Sequence, residues 1–359
     1  MANLMTTSNK MIATLNANSD TLVAYLDTAA ELSKIDRKNH HQVTEKGVPL
    51  VYDLMVSVST PSKIAAASTT NQVTLTGTAS VCGTNWQVRN AVRMTHFTRE
   101  ELRRESGVSK GAIGKYAKTL RLNMNEEMFG IAYRAPIGNL DPNLGTKQRV
   151  YASFSDVGSL TAYAQGTKQT QFTGGVWDYT QLAQVREDIA ETADPFYVNV
   201  LGNHSANAPG VYTYISAVQA YNHRRQTTLD DSTVTAGGDT QFVNNESPFF
   251  RVPQQDSSED AYVDITLDEQ DNPPYDREVG STSPVAYGDS MLEQPVEYFQ
   301  TTMSNSMTSF RVQAPLGLLK LDFEDLFGAG YNPIDPALSA WTTVQPIILE
   351  VECLGTYEM

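Results

Sequence analysis

Short apolar runs broken by threonine, serine or another polar side chain recur along the chain, and they constrain the fold more than any other feature. VPLVYDLMVSVST (48–60) and QVTLTGTASV (72–81) come early, PFYVNVLG (195–202) and VYTYISAVQAY (211–221) follow, and QPIILEVECLG (345–355) closes the series. In the second run Val73 and Leu75 alternate with threonines, the two-residue period of a strand with one buried face. Charged residues are only 19%, and the remaining polar content is largely Thr, Ser, Asn and Gln. That mix suits sheets joined by short turns better than a helical bundle. Helices are expected at few places: 20–35, with Asp20 as N-cap, and 180–192, where Leu182, Val185 and Ile189 share a face and Asp194-Pro195 stops the helix. The expected class is mainly β.

At 359 residues the chain has room for two ordinary domains, and a repeat suggests where they lie. LRLNMNEEMFGIAY (120–133) aligns with LKLDFEDLFGAGY (319–331) across a single gap, setting Leu120, Leu122, Glu126, Phe129, Gly130 and Tyr133 on Leu319, Leu321, Glu324, Phe327, Gly328 and Tyr331. Pro136-Ile137 answers Pro333-Ile334, and Asp141-Pro142 answers Asp335-Pro336. The expected organisation is a helical arm at 1–45, one β-sandwich at 46–158, a linker and helix at 159–194, and a second sandwich at 195–359. The second sandwich carries a polar, acidic insertion at 228–293.

The stretch TREELRRESGVSKGAIGKYAKTL (98–120) imitates a DNA-reading helix-turn-helix, with Gly107 at the turn and Leu102, Val108 and Ile113 at core positions. Arg103, however, stands four residues before that glycine, where the two helices nearly touch and a small residue belongs. Thr98 and Glu101 form a capping box, so a helix is expected and specific DNA reading is not. Charge is the more informative property. Between 99 and 121 seven basic residues (Arg99, Arg103, Arg104, Lys110, Lys115, Lys118 and Arg121) stand against three acidic ones, in a chain whose formal net charge is −15. Two readings follow: a helical face paired internally, or a surface turned toward nucleic acid without sequence preference.

Other chemistry finds no foothold in the sequence. Gly114-Lys115 suggests a phosphate loop, but Ser109 replaces its first glycine and Tyr116 its Mg²⁺-binding hydroxyl. Asp264, Asp268, Glu269 and Asp271 lack the spacing and glycine of a calcium loop, and the adjacent His40 and His41 make a poor metal pair. Cys82 and Cys353 are read as buried thiols. The expectation is no catalysis, no cofactor and no metal. The opening MANLMTTSNKMIATLN lacks the basic start and apolar core of a secretion signal, and no run approaches 18 apolar residues, so a chain made in the cytoplasm without a membrane span is expected.

Two β-rich halves carrying the repeated LRLNMNEEMFG and LKLDFEDLFG blocks, matching Asp-Pro loops, a long polar insertion in one half and the closing PIILEVECLG resemble the double jelly-roll major capsid proteins of tailless icosahedral bacteriophages. The resemblance implies two jelly-roll β-sandwiches in tandem with a few short helices, and a non-enzymatic subunit of the virion. It also implies a homotrimer of pseudo-hexagonal outline that meets neighbouring capsomers, penton or minor capsid proteins, and packaged genome or an internal membrane. A tailed-phage-type shell protein and a secreted or surface carbohydrate-binding β-sandwich are the competing classes.

Overall fold

The computed structural model describes residues 9–17, 22–60, 63–64, 70–71, 73–115, 118–125, 128, 147–149, 172–173, 197–202, 211–212, 214–226, 293–301, 305–328 and 345–359. The protein is mainly β, with two antiparallel sheets and few helices. Eight strands carry the architecture: β1 (Lys10–Ala17), β2 (Leu22–Asp27), β3 (Leu50–Ser59), β4 (Val73–Val81), β5 (Gln294–Thr301), β6 (Met307–Pro315), β7 (Leu318–Gly328) and β8 (Gln345–Glu358). They pair from the outside of the sequence inward: β1 with β8, β2 with β7, β3 with β6 and β4 with β5, all antiparallel. Pairing of β8 with β3 and of β7 with β4 joins these ribbons into sheets of order β1-β8-β3-β6 and β5-β4-β7-β2. A three-residue strand, Lys147–Arg149, runs parallel to β2 at the edge of the second sheet.

Strand alternation builds the core between the sheets. Leu54, Val56 and Val58 of β3, Ile347, Leu349 and Val351 of β8, and Leu319, Leu321 and Phe323 of β7 point inward and are buried together. At one end of the core the Phe299 ring stacks on Phe310, with centroids 5.2 Å apart, and meets Phe323 edge-on at 5.5 Å. Gly77 in β4 makes room for them: a Cβ there would lie 2.5 Å from Phe299 Cζ and 2.6 Å from the Asp322 carbonyl oxygen. The turn from β6 to β7 crosses between the sheets, with Pro315 followed by Leu316 at φ 59° and Gly317 at φ 71°. Leu316 tolerates its left-handed backbone because its side chain is fully buried and its N–H donates to Leu50 O at 2.7 Å.

Residues 1–45 are not a helical arm. Residues 10–17 and 22–27 are strands in different sheets, and among the described residues of this range only α1 (Thr28–Ile35) is helical. Asp27, not Asp20, caps α1, its carboxylate accepting from Ala30 N at 3.0 Å. Leu22, Ala24 and Leu26 all face the core, so the helical spacing read over 20–35 hid a two-residue period.

The division into sandwiches at 46–158 and 195–359 also fails among the described residues. β3 lies hydrogen-bonded between β6 and β8, so the two ranges share both sheets and one core. The repeat misled because its copies occupy different environments. Residues 318–328 are a long strand, whereas 120–125 form no strand and make only the isolated bridge Asn123↔Asn199. Leu319 and Leu321 fill the sandwich core, while Leu120 and Leu122 fill a second one. The side chains of Phe129 and Phe327 lie outside the described residues.

That second core belongs to the sequence between β4 and β5. α2 (Trp86–Glu105), α3 (Ala217–Gln226) and the parallel strands Tyr197–Asn199 and Tyr214–Ser216 contribute to it. Val88, Val92, Leu102, Leu122, Val200 and Val218 pack there with Tyr25, Leu316 and Leu318, so a helical layer covers the outer side of the sheet containing β2 and β7. The helix expected at 180–192 and nearly all of the insertion at 228–293 lie outside the described residues.

Candidate nucleic-acid interface

α2 starts at Trp86, where the Asn85 side chain caps it by accepting from Val88 N at 2.9 Å. The capping box at Thr98 is therefore not used: Thr98 is buried in mid-helix. At its C-terminus Gly107, with φ 71°, reverses the chain, as expected of the turn glycine. A single 3₁₀ turn, Lys110–Ala112, stands where a recognition helix would begin.

The seven basic residues expected to face nucleic acid do not share a face. Arg99, Arg103 and Arg121 are buried, which removes them from contact with a polyanion. Arg103 holds the turn: it donates to Val108 O at 2.5 Å from Nη1 and to Glu100 Oε2 from Nε and Nη2 at 3.3 and 3.0 Å. Its bulk, which argued against close helix packing, serves here to close the chain reversal. Arg99 lies 3.6 Å from the same carboxylate. Burial pushes the Glu100 carboxyl up, but the Arg103 hydrogen bond and the charges of Arg103, Lys110 and Arg99 outweigh it, leaving the group below its ordinary value.

Arg121 ties the segment to the sandwich by donating to His40 O at 2.6 Å. Around it Gln42 bonds both backbone groups of Leu122, at 2.6 and 3.0 Å, Thr119 meets His41 Nδ1 at 2.8 Å, and Tyr52 donates to His41 O at 2.6 Å. Burial, then Arg121, pushes the His41 imidazole below its ordinary value, and burial does the same to His96. The His96 ring packs on Gly47, whose missing Cβ would lie 2.5 Å from it. This seam of polar contacts is structural.

Arg104 and Lys115 are exposed, and Lys110 and Lys118 half-exposed. The helix brings them two residues that the sequence reading missed, Arg89 and Arg93, both exposed on α2. The signal for them was present: carrying the helical period back to Trp86 places Arg93 and Arg104 on one line with Trp86 and Phe97. Phe97 is 54% and Trp86 41% exposed. Among the described residues no three His, Cys, Asp or Glu side chains gather into a metal-binding group, both cysteines are free, and no helix is long and apolar enough to cross a membrane. The acidic residues at 264–271 lie outside the described residues.

No family model, curated protein or solved structure matches the chain.

Proposed function

We propose that the sandwich is a jelly roll and that the protein is a major capsid protein, a structural subunit of an icosahedral virus shell of the tailless kind. The observation that carries this reading is the strand pairing, first with eighth, second with seventh, third with sixth and fourth with fifth, wrapped into sheets of order β1-β8-β3-β6 and β5-β4-β7-β2. Such a double-sheet roll serves capsid proteins, lectins and cupins alike. Its interior argues against the cupin use, and the shell use is preferred to the lectin use on the sequence resemblance. Phe299, Phe310, Phe323 and the aliphatic rows of β3, β7 and β8 fill the space between the sheets, making a packed block instead of a ligand cup. The reading keeps the virion as the protein's place, the host cytoplasm as its site of synthesis, and other shell proteins and the packaged genome as its partners.

Among the described residues there is one roll, interrupted between β4 and β5, where the sequence reading expects a tandem pair. A tailed-phage-type shell protein would be organised on a long spine helix; the longest described helix, α2, has 20 residues and packs over a sheet. Sedimentation across a wide range of concentration and salt tests the proposal. Large closed assemblies are expected, and a monomer under every condition contradicts it.

A further inference from the structure

We infer that the outward face of α2 is a docking surface for single-stranded nucleic acid, with Arg89, Arg93 and Arg104 on phosphates and Trp86 and Phe97 under bases. At 3.6 residues per turn, Trp86, Arg93, Phe97 and Arg104 fall within about 20° of one line, and Arg89 flanks it at about 60°. The line runs about 27 Å along the helix, alternating aromatic and guanidinium side chains at steps of about 10, 6 and 10 Å. The opposite face of the helix is committed to the second core through Val88, Ala91, Val92 and Leu102. All five stripe residues are exposed.

The charge of this face has no ion pair among the described residues. Arg103 bonds Glu100, but Arg89, Arg93 and Arg104 make no ion pair or side-chain hydrogen bond among the described residues. In a chain of formal net charge −15, three exposed arginines with no ion pair among the described residues complement a polyanion. Phe97 and Trp86 decide which polyanion. A base offers a flat apolar face to an exposed ring only when it is not enclosed in a duplex, and alternating aromatic platforms with cations is how sequence-tolerant single-strand binding is built. Trp86 is braced for that role, its ring edge-on to Tyr221 at 6.2 Å. The proposal rests on the shell reading only for where such a strand is met, at the shell's inner surface; its chemistry stands on α2 alone.

Anisotropy of labelled oligothymidylate and oligouridylate, each about 30 nucleotides long, with the full-length protein tests it against a duplex of equal length. Either single strand is expected to bind more tightly than the duplex, the tighter of the two naming the strand, with affinity falling as salt rises. Replacing Arg89, Arg93 and Arg104 together with Gln reduces the salt slope by about two, three contacts at about 0.7 each. Phe97→Ala weakens binding by about 5- to 150-fold, the worth of one base stack, and leaves the slope unchanged. No binding at low salt overturns the proposal. So does duplex binding of equal strength that ignores Phe97→Ala, which is unspecific attraction. If these variants instead abolish assembly in sedimentation without touching nucleic-acid binding, the face is a contact between copies of the chain and the proposal is wrong. A wild-type protein that assembles but ignores both strands refutes this inference alone. One that binds them but never assembles refutes the shell reading alone.

Discussion

Gly77→Ala adds one methyl group where β4 is crowded by both of its neighbours in the sheet, β5 and β7. That carbon would sit 2.5 Å from Phe299 Cζ and 2.6 Å from Asp322 O, against about 3.5–4.0 Å for relaxed carbon contacts. The phenyl ring has nowhere to retreat: it is 3% exposed, stacked on Phe310 and edge-on to Phe323. Nor can the carbonyl move freely, because Asp322 is held in register with Thr78 of β4 and Val23 of β2. Overpacking of this kind costs about 1–3 kcal/mol, and losing the geometry of one or two aromatic pairs adds about 0.5–1.5 kcal/mol each. The sum, about 1.5–6 kcal/mol, is a large part of the roughly 5–15 kcal/mol that holds a folded domain together. Urea unfolding followed by near-ultraviolet circular dichroism reads it as a lower midpoint with an unchanged slope. Gly111→Ala is the control, since a Cβ there meets only Ser109 Oγ at 3.6 Å; it should stay within about 0.5 kcal/mol of the parent. If Gly77→Ala were as stable as the control, Phe299 would not lie over β4 and the placement of β5 and β7 on either side of β4 would be refuted.

Arg103→Ala should cost about 1–3 kcal/mol, because it takes the hydrogen bonds from Glu100 and the Val108 carbonyl while Arg99 stays beside the carboxylate, whereas Arg93→Ala should stay within about 0.5 kcal/mol; thermal unfolding of the two variants checks the contrast. His41 and His96 titrate below 6.5 in the fold, chiefly through burial, so just under that pH the unfolded chain binds more protons than the folded one. Stability should therefore be level above about pH 7 and fall as the pH drops through 6.5 and below, and His41→Gln with His96→Gln should flatten that fall; unfolding midpoints from pH 7.5 to about 5 measure it. Limited proteolysis should cut first within 228–293, a polar stretch rich in Asp and Pro. The fragments should stay together through gel filtration, because each of the first four strands pairs with one of the last four; separation would contradict the strand order. Deleting 345–359 should abolish folding of the whole sandwich, since β8 lies between β1 and β3, and a soluble folded product would count against that placement.

Local structure was legible in some of the strands with one buried face, and not in residues 10–17 or 22–27. The runs at 48–60, 72–81 and 345–355 became β3, β4 and β8 with ends shifted by a few residues, because Leu54, Leu75 and Leu349 recur on the buried face at the two-residue period; the run at 211–221 instead turns helical at Ala217. Pairing was not legible. Nothing in residues 10–17 says that their partner lies at 345–352, and sheet hydrogen bonds are made by backbone atoms that every residue shares. The repeat therefore appeared to mark two domains when its copies serve different cores. The basic segment was half legible: charge located the neighbourhood. Burial of Arg99, Arg103 and Arg121 depends on chain segments far away in sequence, such as His40 against Arg121. Arg89 and Arg93 were missed because the helix was started at Thr98, and a cap at Asn85 cannot be weighed before the chain reversal after β4 is known.

Negative-stain imaging of concentrated, natively prepared protein tests the central claim most directly. The account predicts closed isometric shells of uniform diameter, with the roll as their wall. Fields of isolated particles the size of a single chain, at every concentration and salt, would contradict it.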